Sequence, residues 1–150
     1  MQKTAAKLNI ENISEGEVFS LEEHLTERLV NDFAALSGDY SPLHMDDSFA
    51  KSRGLKGRVV HGIFLAGYLS RIVGMHLPGE NAILQSVNVQ FVAPAYIDDK
   101  VVIKASVDQV SLGTKSIVLK ATIERIPGRE IILKSKIQVG FTSVHSKTVS

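Results

Sequence analysis

Two side chains that can move protons, Asp39 and His44, stand five residues apart in the segment Phe33–His44, which reads FAALSGDYSPLH. Gly38 precedes the aspartate and Pro42 lies between the two, so neither residue belongs to a helical or strand face. A carboxylate offers an anionic acceptor, and a neutral imidazole offers one donor and one acceptor. On one rigid loop they can act together on a single water molecule, which is general acid–base chemistry.

The same loop has a plainer interpretation. Aspartate is common at turns, where its side chain accepts a hydrogen bond from the backbone two residues on, and a histidine beside it can simply be solvated. The loop alone does not separate the two interpretations. Its position favours the functional one, because it lies between two predicted helices where the chain folds back around a third.

His61 and Gly62 come immediately before that third, strongly apolar helix. The first free backbone N–H groups of the helix then lie around Gly62 and Ile63, where they carry partial positive charge and can bind a polarised carbonyl oxygen. A glycine lets a ligand approach the backbone closely. Taken alone, however, a tolerated glycine beside a satisfied, partly buried histidine explains this pair better.

The remaining candidates are interpreted as incidental or structural. Asp46 and Asp47 beside the loop could indicate a metal site, but they fit a helix N-terminus more simply, so we predict no metal. The sequence has no nucleophile elbow, P-loop, dinucleotide fingerprint or His-Glu-x-x-His pair. Three histidines are assigned no role: His24, His76 and His145.

Composition bounds the class of protein. The 150 residues are enough for one domain with a real core, and 17 basic against 16 acidic residues argue against a general nucleic-acid binder. The absence of cysteine rules out disulfides and thiolate chemistry. The N-terminus lacks the apolar run of a secretory signal, and the apolar stretch 62–77 is interrupted by Arg71 and His76, so we expect a cytoplasmic protein that does not enter a membrane.

Helical signals fill the first half of the chain. Residues 1–15 are predicted to form a loose arm that leads into a short strand near 17–21. Thr26 is a predicted N-cap, and a helix then runs to a stop at Gly38. A short helix is predicted over 47–54, and the apolar stretch 62–75 is predicted to form a buried central helix that ends before 77–79.

The second half changes to alternating apolar and polar residues, which predicts four long strands separated by turn signals. One buried helix with antiparallel strands is best packed by curling the sheet around the helix, which is the hotdog fold of the α+β class. We expect one such domain over 16–145 and a tail over 146–150. The free strand edges make a homodimer the expected assembly.

Several ordered segments resemble the MaoC-like dehydratases, the family of (R)-specific enoyl-CoA hydratases. The resemblance runs from about Glu17 to the last strand and rests on five segments. These are Phe33–Asp39, Pro42–His44, Ala50, Val60–Ile63 and Leu77–Gly79.

The resemblance implies reversible syn addition of water across a trans-2-enoyl thioester, giving an (R)-3-hydroxyacyl product. It places the catalytic pair on Asp39 and His44, with Asp39 as proton acceptor. It places the thioester oxygen at the backbone of Gly62, flanked by His61 and Ile63. It implies a homodimer, with coenzyme A entering as part of the substrate and no metal or other cofactor.

Other assignments are finer. Where the family usually has asparagine, this chain has Ser41, which makes the local turn bond more weakly and leaves room for a variant substrate. Ser70 and Val73 are candidate walls of a pocket for a short or medium acyl chain. A small basic cluster is either a solvated face or a site for the phosphates of coenzyme A: Arg53, Lys56 and Arg58.

Three alternatives remain open. The thioester carrier could be acyl carrier protein instead of coenzyme A. The chain could also be a non-catalytic acyl-CoA-binding module, which the serine at position 41 supports and the retained Asp39 and His44 oppose. A thioesterase is disfavoured, because it would typically place a carboxylate on or beside the central helix, and residues 62–75 contain none.

Overall fold

The alternating pattern of the second half produces the long strands that the sequence predicts. The computed structural model describes residues 4–143, in which five strands form one antiparallel sheet in the order β1-β3-β4-β5-β2. The strands are β1 (Val18–His24), β2 (Ala82–Phe91), β3 (Lys100–Ser111), β4 (Ser116–Ile126) and β5 (Glu130–Phe141). The predicted α+β architecture, a sheet wrapped around a helix, is confirmed.

The helices begin and end largely where capping residues predict. They are α1 (Glu27–Ser37), α2 (Pro42–Met45), α3 (Asp47–Ser52) and α4 (Gly62–Met75). Thr26 caps α1 by accepting a hydrogen bond from the Leu29 amide, and Gly38 ends it with a left-handed φ of 76°. The sequence analysis missed α2, because four residues are too few to show helical periodicity.

The central helix α4 is buried on one face. Its buried residues are Leu65, Tyr68, Leu69, Ile72 and Val73, and they join the inner face of β3, β4 and β5 in one apolar core. The other face of α4 is exposed in the single chain: Ile63, Gly67, Ser70 and Gly74. The predicted burial of α4 is therefore confirmed for one side only.

Strand β2 departs from the alternation rule that the other strands follow. Val87 and Phe91 share the inner face of the sheet with their β5 partners Ile137 and Leu133. The partners are fully buried, whereas Val87 and Phe91 remain substantially exposed. The expectation that every apolar strand face covers the core of this chain is thus wrong for β2, which forms one edge of the sheet.

The described part of the N-terminal arm, residues 4–15, is packed, not loose. The Ala6 amide donates to Met75 O at 2.9 Å, and the Leu8 amide donates to Pro78 O at 3.2 Å. Ile10 and Ile13 are buried in the core. His145 and the predicted tail 146–150 lie outside the described residues. Within residues 4–143, no helix has the length and apolar content needed to cross a membrane.

Tyr68 makes the stability of this core depend on pH in the alkaline range. Burial, followed by the nearby charge of Glu23, raises the pKa of Tyr68 to about 12, against a partial opposing effect of Arg71. The unfolded chain ionises this phenol near its ordinary pKa of about 10. The stabilising effect is therefore complete below pH 10 and is lost as the pH rises towards 12.

We expect Tyr68→Phe to flatten the fall in the free energy of unfolding between pH 10 and 12. Urea denaturation at pH 8, 10 and 11.5 measures this slope for the variant and for the wild type. An unchanged slope in the variant would show that other groups cause the alkaline destabilisation.

Candidate active site

His44 is held by one of its two ring nitrogens. Its Nδ1 lies 2.7 Å from the carbonyl oxygen of Val59. A carbonyl oxygen only accepts, so Nδ1 carries the hydrogen and Nε2 of the neutral ring presents a lone pair. The side chain is 18% exposed. His44 therefore offers one defined acceptor, or a proton exchange site, to the solvent-accessible side.

Asp39 faces that nitrogen from the end of α1. Its Oδ1 accepts a hydrogen bond from the Ser41 amide at 3.1 Å, and its Oδ2 lies 3.7 Å from His44 Nε2. A gap of 3.7 Å is too long for a direct hydrogen bond, but one water can donate to both atoms. The local turn of the plainer interpretation is thus present, and so is the close approach of the two side chains that the functional interpretation requires.

His61 contacts both members of this pair. It is 2% exposed, its Nε2 lies 2.9 Å from Asp39 O, and its ring stacks on the His44 ring with centroids 3.9 Å apart. Its Nδ1 has no hydrogen-bond partner among the described residues. The plainer interpretation, a histidine whose two ring nitrogens are both hydrogen-bonded, therefore holds for Nε2 only. His61 ties the backbone of one member of the pair to the ring of the other.

Helix α4 begins directly after His61, and an apolar groove lies at its N-terminus. The first intrahelical bond joins the Leu65 amide to His61 O, which leaves the amides of Gly62, Ile63 and Phe64 without an intrahelical acceptor. A groove of about 440 Å³ lies against Gly62 and Ile63 at the start of the helix. It is lined by Val59, Gly62, Ile63, Leu65, Phe91, Val92, Ala93 and Pro94.

Gly62 leaves space for the Phe91 ring where the helix meets this groove. A Cβ atom added at Gly62 would lie 2.7 Å from Cε1 of Phe91, well inside van der Waals contact. The glycine therefore lets the Phe91 ring pack against the first turn of α4. It also leaves the Gly62 amide open to a ligand that enters along the groove.

A metal ion fits this cluster poorly. Ligand atoms of Asp39, His44 and His61 lie within 4.8 Å of one another. However, the two imidazole planes are only 27° from parallel, and a metal must lie close to the plane of each ring that it binds. Asp46 caps α3, and Asp47 pairs with Lys51, as expected of a helix N-terminus. The absence of a bound metal in the functional protein stays a prediction.

The finer predicted residues are spread over the structure. Val73 is buried in the core and Ser70 lies on the exposed face of α4, so neither lines the groove. Lys56 lines a separate cleft of about 540 Å³, with its Nζ 5.9 Å from the Tyr96 ring centroid. Arg53 lies over the Phe49 ring. The third basic residue of the cluster, at position 58, donates a hydrogen bond to the backbone carbonyl of His44.

Sequence reasoning missed two features of the site. The Val59 carbonyl fixes the tautomer of His44, and a backbone atom leaves no sequence signal. Phe91 walls the groove, whereas the alternation of β2 indicates only that its side chain points inwards. A test for large apolar residues at the ends of edge strands could have found it.

Comparisons with known proteins identify the family and the fold of this chain. A family model described as "MaoC like domain" matches residues 10–142. An (R)-specific enoyl-CoA hydratase of Rhodospirillum rubrum is 32% identical over 81% of this chain and 84% of its own length. A mitochondrial 3-hydroxyacyl-[acyl-carrier-protein] dehydratase of Arabidopsis thaliana is 34% identical over 59% of this chain and 49% of its own.

A solved structure is similar in fold over nearly its whole length. It is the (R)-hydratase from A. caviae involved in PHA biosynthesis, and it superposes with a TM-score of 0.84 at 26% identity. The match covers 88% of this chain and 99% of that one. Such agreement over both chains places the described geometry within one known fold.

Proposed function

This chain belongs to the MaoC-like domain family, and from that membership we propose that it is a hydro-lyase that adds water reversibly to a trans-2-enoyl thioester. The named relatives are hydratases and dehydratases, which are hydro-lyases. The observation that carries the proposal is the 3.7 Å distance between Asp39 Oδ2 and the free Nε2 of His44, whose ring stacks on His61, the residue that directly precedes α4.

The reaction begins with one water held in that gap. The water donates hydrogen bonds to Asp39 Oδ2 and to His44 Nε2, which leaves an oxygen lone pair to attack C3 of the enoyl group. Asp39 accepts the proton as the C3–O bond forms. Electron density moves through C2 to the thioester oxygen, and C2 then takes, on the same face, the proton that Asp39 accepted, with His44 orienting the water or passing that proton from Asp39 to C2. The net result is OH on C3 and H on C2.

The Gly62 amide stabilises the charge that develops on the thioester oxygen. Preorganised backbone donors at a helix N-terminus do this without reorganising. The Ile63 amide is a second donor, and buried His61 excludes water from the space behind the pair. The (R) configuration and the short or medium acyl chain are part of the proposal, as is the absence of any metal or redox cofactor.

Filling the position of Gly62 tests where the thioester lies. Gly62→Val is expected to push the Phe91 ring into the groove and raise KM at least about tenfold, equivalent to about 1.4 kcal/mol of binding. Steady-state kinetics with an enoyl-CoA measures this change. Gly113→Val is the matched control, because a Cβ added there meets nothing within 4 Å. An unchanged KM in the Gly62 variant would show that the thioester is misplaced.

The thioester carrier, coenzyme A or acyl carrier protein, distinguishes this proposal from one of its alternatives. Lys56 and Arg53 are the candidate partners of coenzyme A phosphates, whereas the Arabidopsis relative is named for acyl carrier protein. Turnover of the same enoyl group on each carrier compares the two. A rise in melting temperature with enoyl-CoA, but no turnover on either carrier, would favour a non-catalytic binding module.

A homodimer is proposed from the exposed apolar surface. The edge strand β2, the residue that follows it and α4 expose six apolar side chains: Ile63, Ile83, Leu84, Val87, Phe91 and Val92. Exposed apolar residues along an unpaired strand edge favour pairing with a second chain. We expect sedimentation equilibrium to give twice the mass of 16.3 kDa at micromolar concentration, and a monomer there would contradict this assembly.

A cytoplasmic location, with neither nucleic acid nor membrane as a partner, is also part of the proposal. The nearly balanced charge supports the part that concerns nucleic acid, since a general nucleic-acid binder is usually strongly basic. Cell fractionation of the tagged chain is the direct measurement, and recovery with the membrane pellet would contradict it.

A further inference from the structure

Arg58 is nearly buried and all three of its guanidinium nitrogens are engaged. Its side chain is 11% exposed. Nε donates to His44 O at 2.6 Å, Nη1 donates to Glu27 Oε1 at 2.7 Å, and Nη2 donates to Asn31 Oδ1 at 2.6 Å. The guanidinium therefore connects the backbone of His44 to two side chains of α1. A planar fork of donors suits such a junction.

The backbone next to Arg58 holds the same loop. The Arg58 amide donates to Asp47 Oδ1 at 3.1 Å, and the Val59 amide donates to Leu43 O at 3.0 Å. The Val59 carbonyl accepts from His44 Nδ1. Two consecutive residues, 58 and 59, thus fix both the carbonyl oxygen and the ring of His44.

We propose that Arg58 is a positioning residue, which holds the His44 backbone so that Nδ1 stays bonded to Val59 and Nε2 faces Asp39. The guanidinium does not touch the gap between the pair, so it acts through His44. An effect of Arg58 on the rate of turnover rests on the proposed hydro-lyase function. Its effect on the orientation of the His44 ring does not depend on that function. Arg58 is accordingly assigned to the loop, which leaves Arg53 and Lys56 as the candidates for carrier phosphates.

Lysine cannot replace this arginine. Its single ammonium group has no planar fork with which to reach a carbonyl and two side chains in different directions. Displacement of a reacting group by about 1 Å can lower the rate by roughly 10²-fold. We therefore expect Arg58→Lys to lower kcat by about 10- to 100-fold while KM stays within about twofold.

Two readouts separate positioning from general stability. Steady-state kinetics gives kcat and KM, and long-range ¹H–¹⁵N NMR of the histidine rings reports which His44 nitrogen carries the hydrogen. The wild type is expected to show a single Nδ1–H tautomer, and Arg58→Lys a mixture. Arg71→Lys is the control, because Arg71 pairs with Glu23 away from the loop and should keep wild-type kinetics and spectrum.

A folded Arg58→Lys protein with wild-type kcat and a single His44 tautomer would overturn the proposal, as would a loss confined to KM. If that variant does not fold, Asn31→Ala removes one acceptor and is expected to lower kcat severalfold with a mixed tautomer. Wild-type values for Asn31→Ala would then overturn the proposal. If the wild type itself turns over no thioester, the hydro-lyase function fails, and the NMR comparison still decides the role of Arg58.

Discussion

Replacing Asp39 with asparagine is expected to lower kcat by roughly 10²- to 10⁴-fold, the range for loss of a general base. Asparagine keeps an oxygen that can accept from the Ser41 amide, so the turn and the fold should survive. It places no basic oxygen opposite His44 Nε2, so the water loses its proton acceptor. KM should stay close to the wild-type value, because the groove and the α4 amides are unchanged.

An exposed Asp–His pair elsewhere in the chain provides the control. Asp98 Oδ1 lies 3.1 Å from His24 Nε2 at the end of β1, outside the groove. Asp98→Asn is expected to leave kcat and KM unchanged, and asparagine tolerates the positive φ of 71° at this position. Near-normal turnover by a folded Asp39→Asn protein would remove Asp39 from the mechanism.

Replacing His44 with asparagine is expected to cost a similar roughly 10²- to 10⁴-fold in kcat. The shorter amide can still donate to the Val59 carbonyl, as Nδ1 does, so the loop remains anchored. It has no atom at the position of Nε2, so the water is held by Asp39 alone. Stopped-flow or steady-state loss of enoyl-thioester absorbance measures the effect.

His24→Asn is the matched control for this variant, and it should leave kcat within experimental error. A melting temperature for His44→Asn close to that of the wild type separates lost chemistry from lost fold. If His44→Asn retains full activity, Asp39 alone activates the water and the tautomer argument has no kinetic consequence.

Local rules predicted much of the fold. Thr26 and Gly38 bound α1 because capping is a property of a few adjacent residues, and the alternation in β3, β4 and β5 marks the face that covers the core. The same rule was wrong for β2. Alternation records that one strand face is apolar, but not whether this chain or another surface covers it.

The candidate site was likewise predictable only where it depends on residues close together in the sequence. Asp39 and His44 could be selected from the sequence because the loop holds them close together along the chain. The contacts that orient them come from residues 15 to 22 positions away: Val59 O to His44 and His61 to Asp39 O. Such long-range contacts depend on how α4 packs against the loop, which no spacing encodes. Arg58 was likewise predicted to lie on a solvated face or at a site for coenzyme A phosphates. Its three hydrogen-bond partners are distant in sequence, so its place in the loop could not be predicted.

The central claim is that this pair adds water to an enoyl thioester on one face. Its most direct test adds the protein to crotonyl-CoA, follows the conjugated enoyl-thioester absorbance, and determines the configuration of the product by chiral analysis. We expect that absorbance to fall and (R)-3-hydroxybutyryl-CoA to form. The (S) product, or no loss with crotonyl-CoA, longer enoyl-CoAs and the corresponding carrier-protein thioesters, would contradict it.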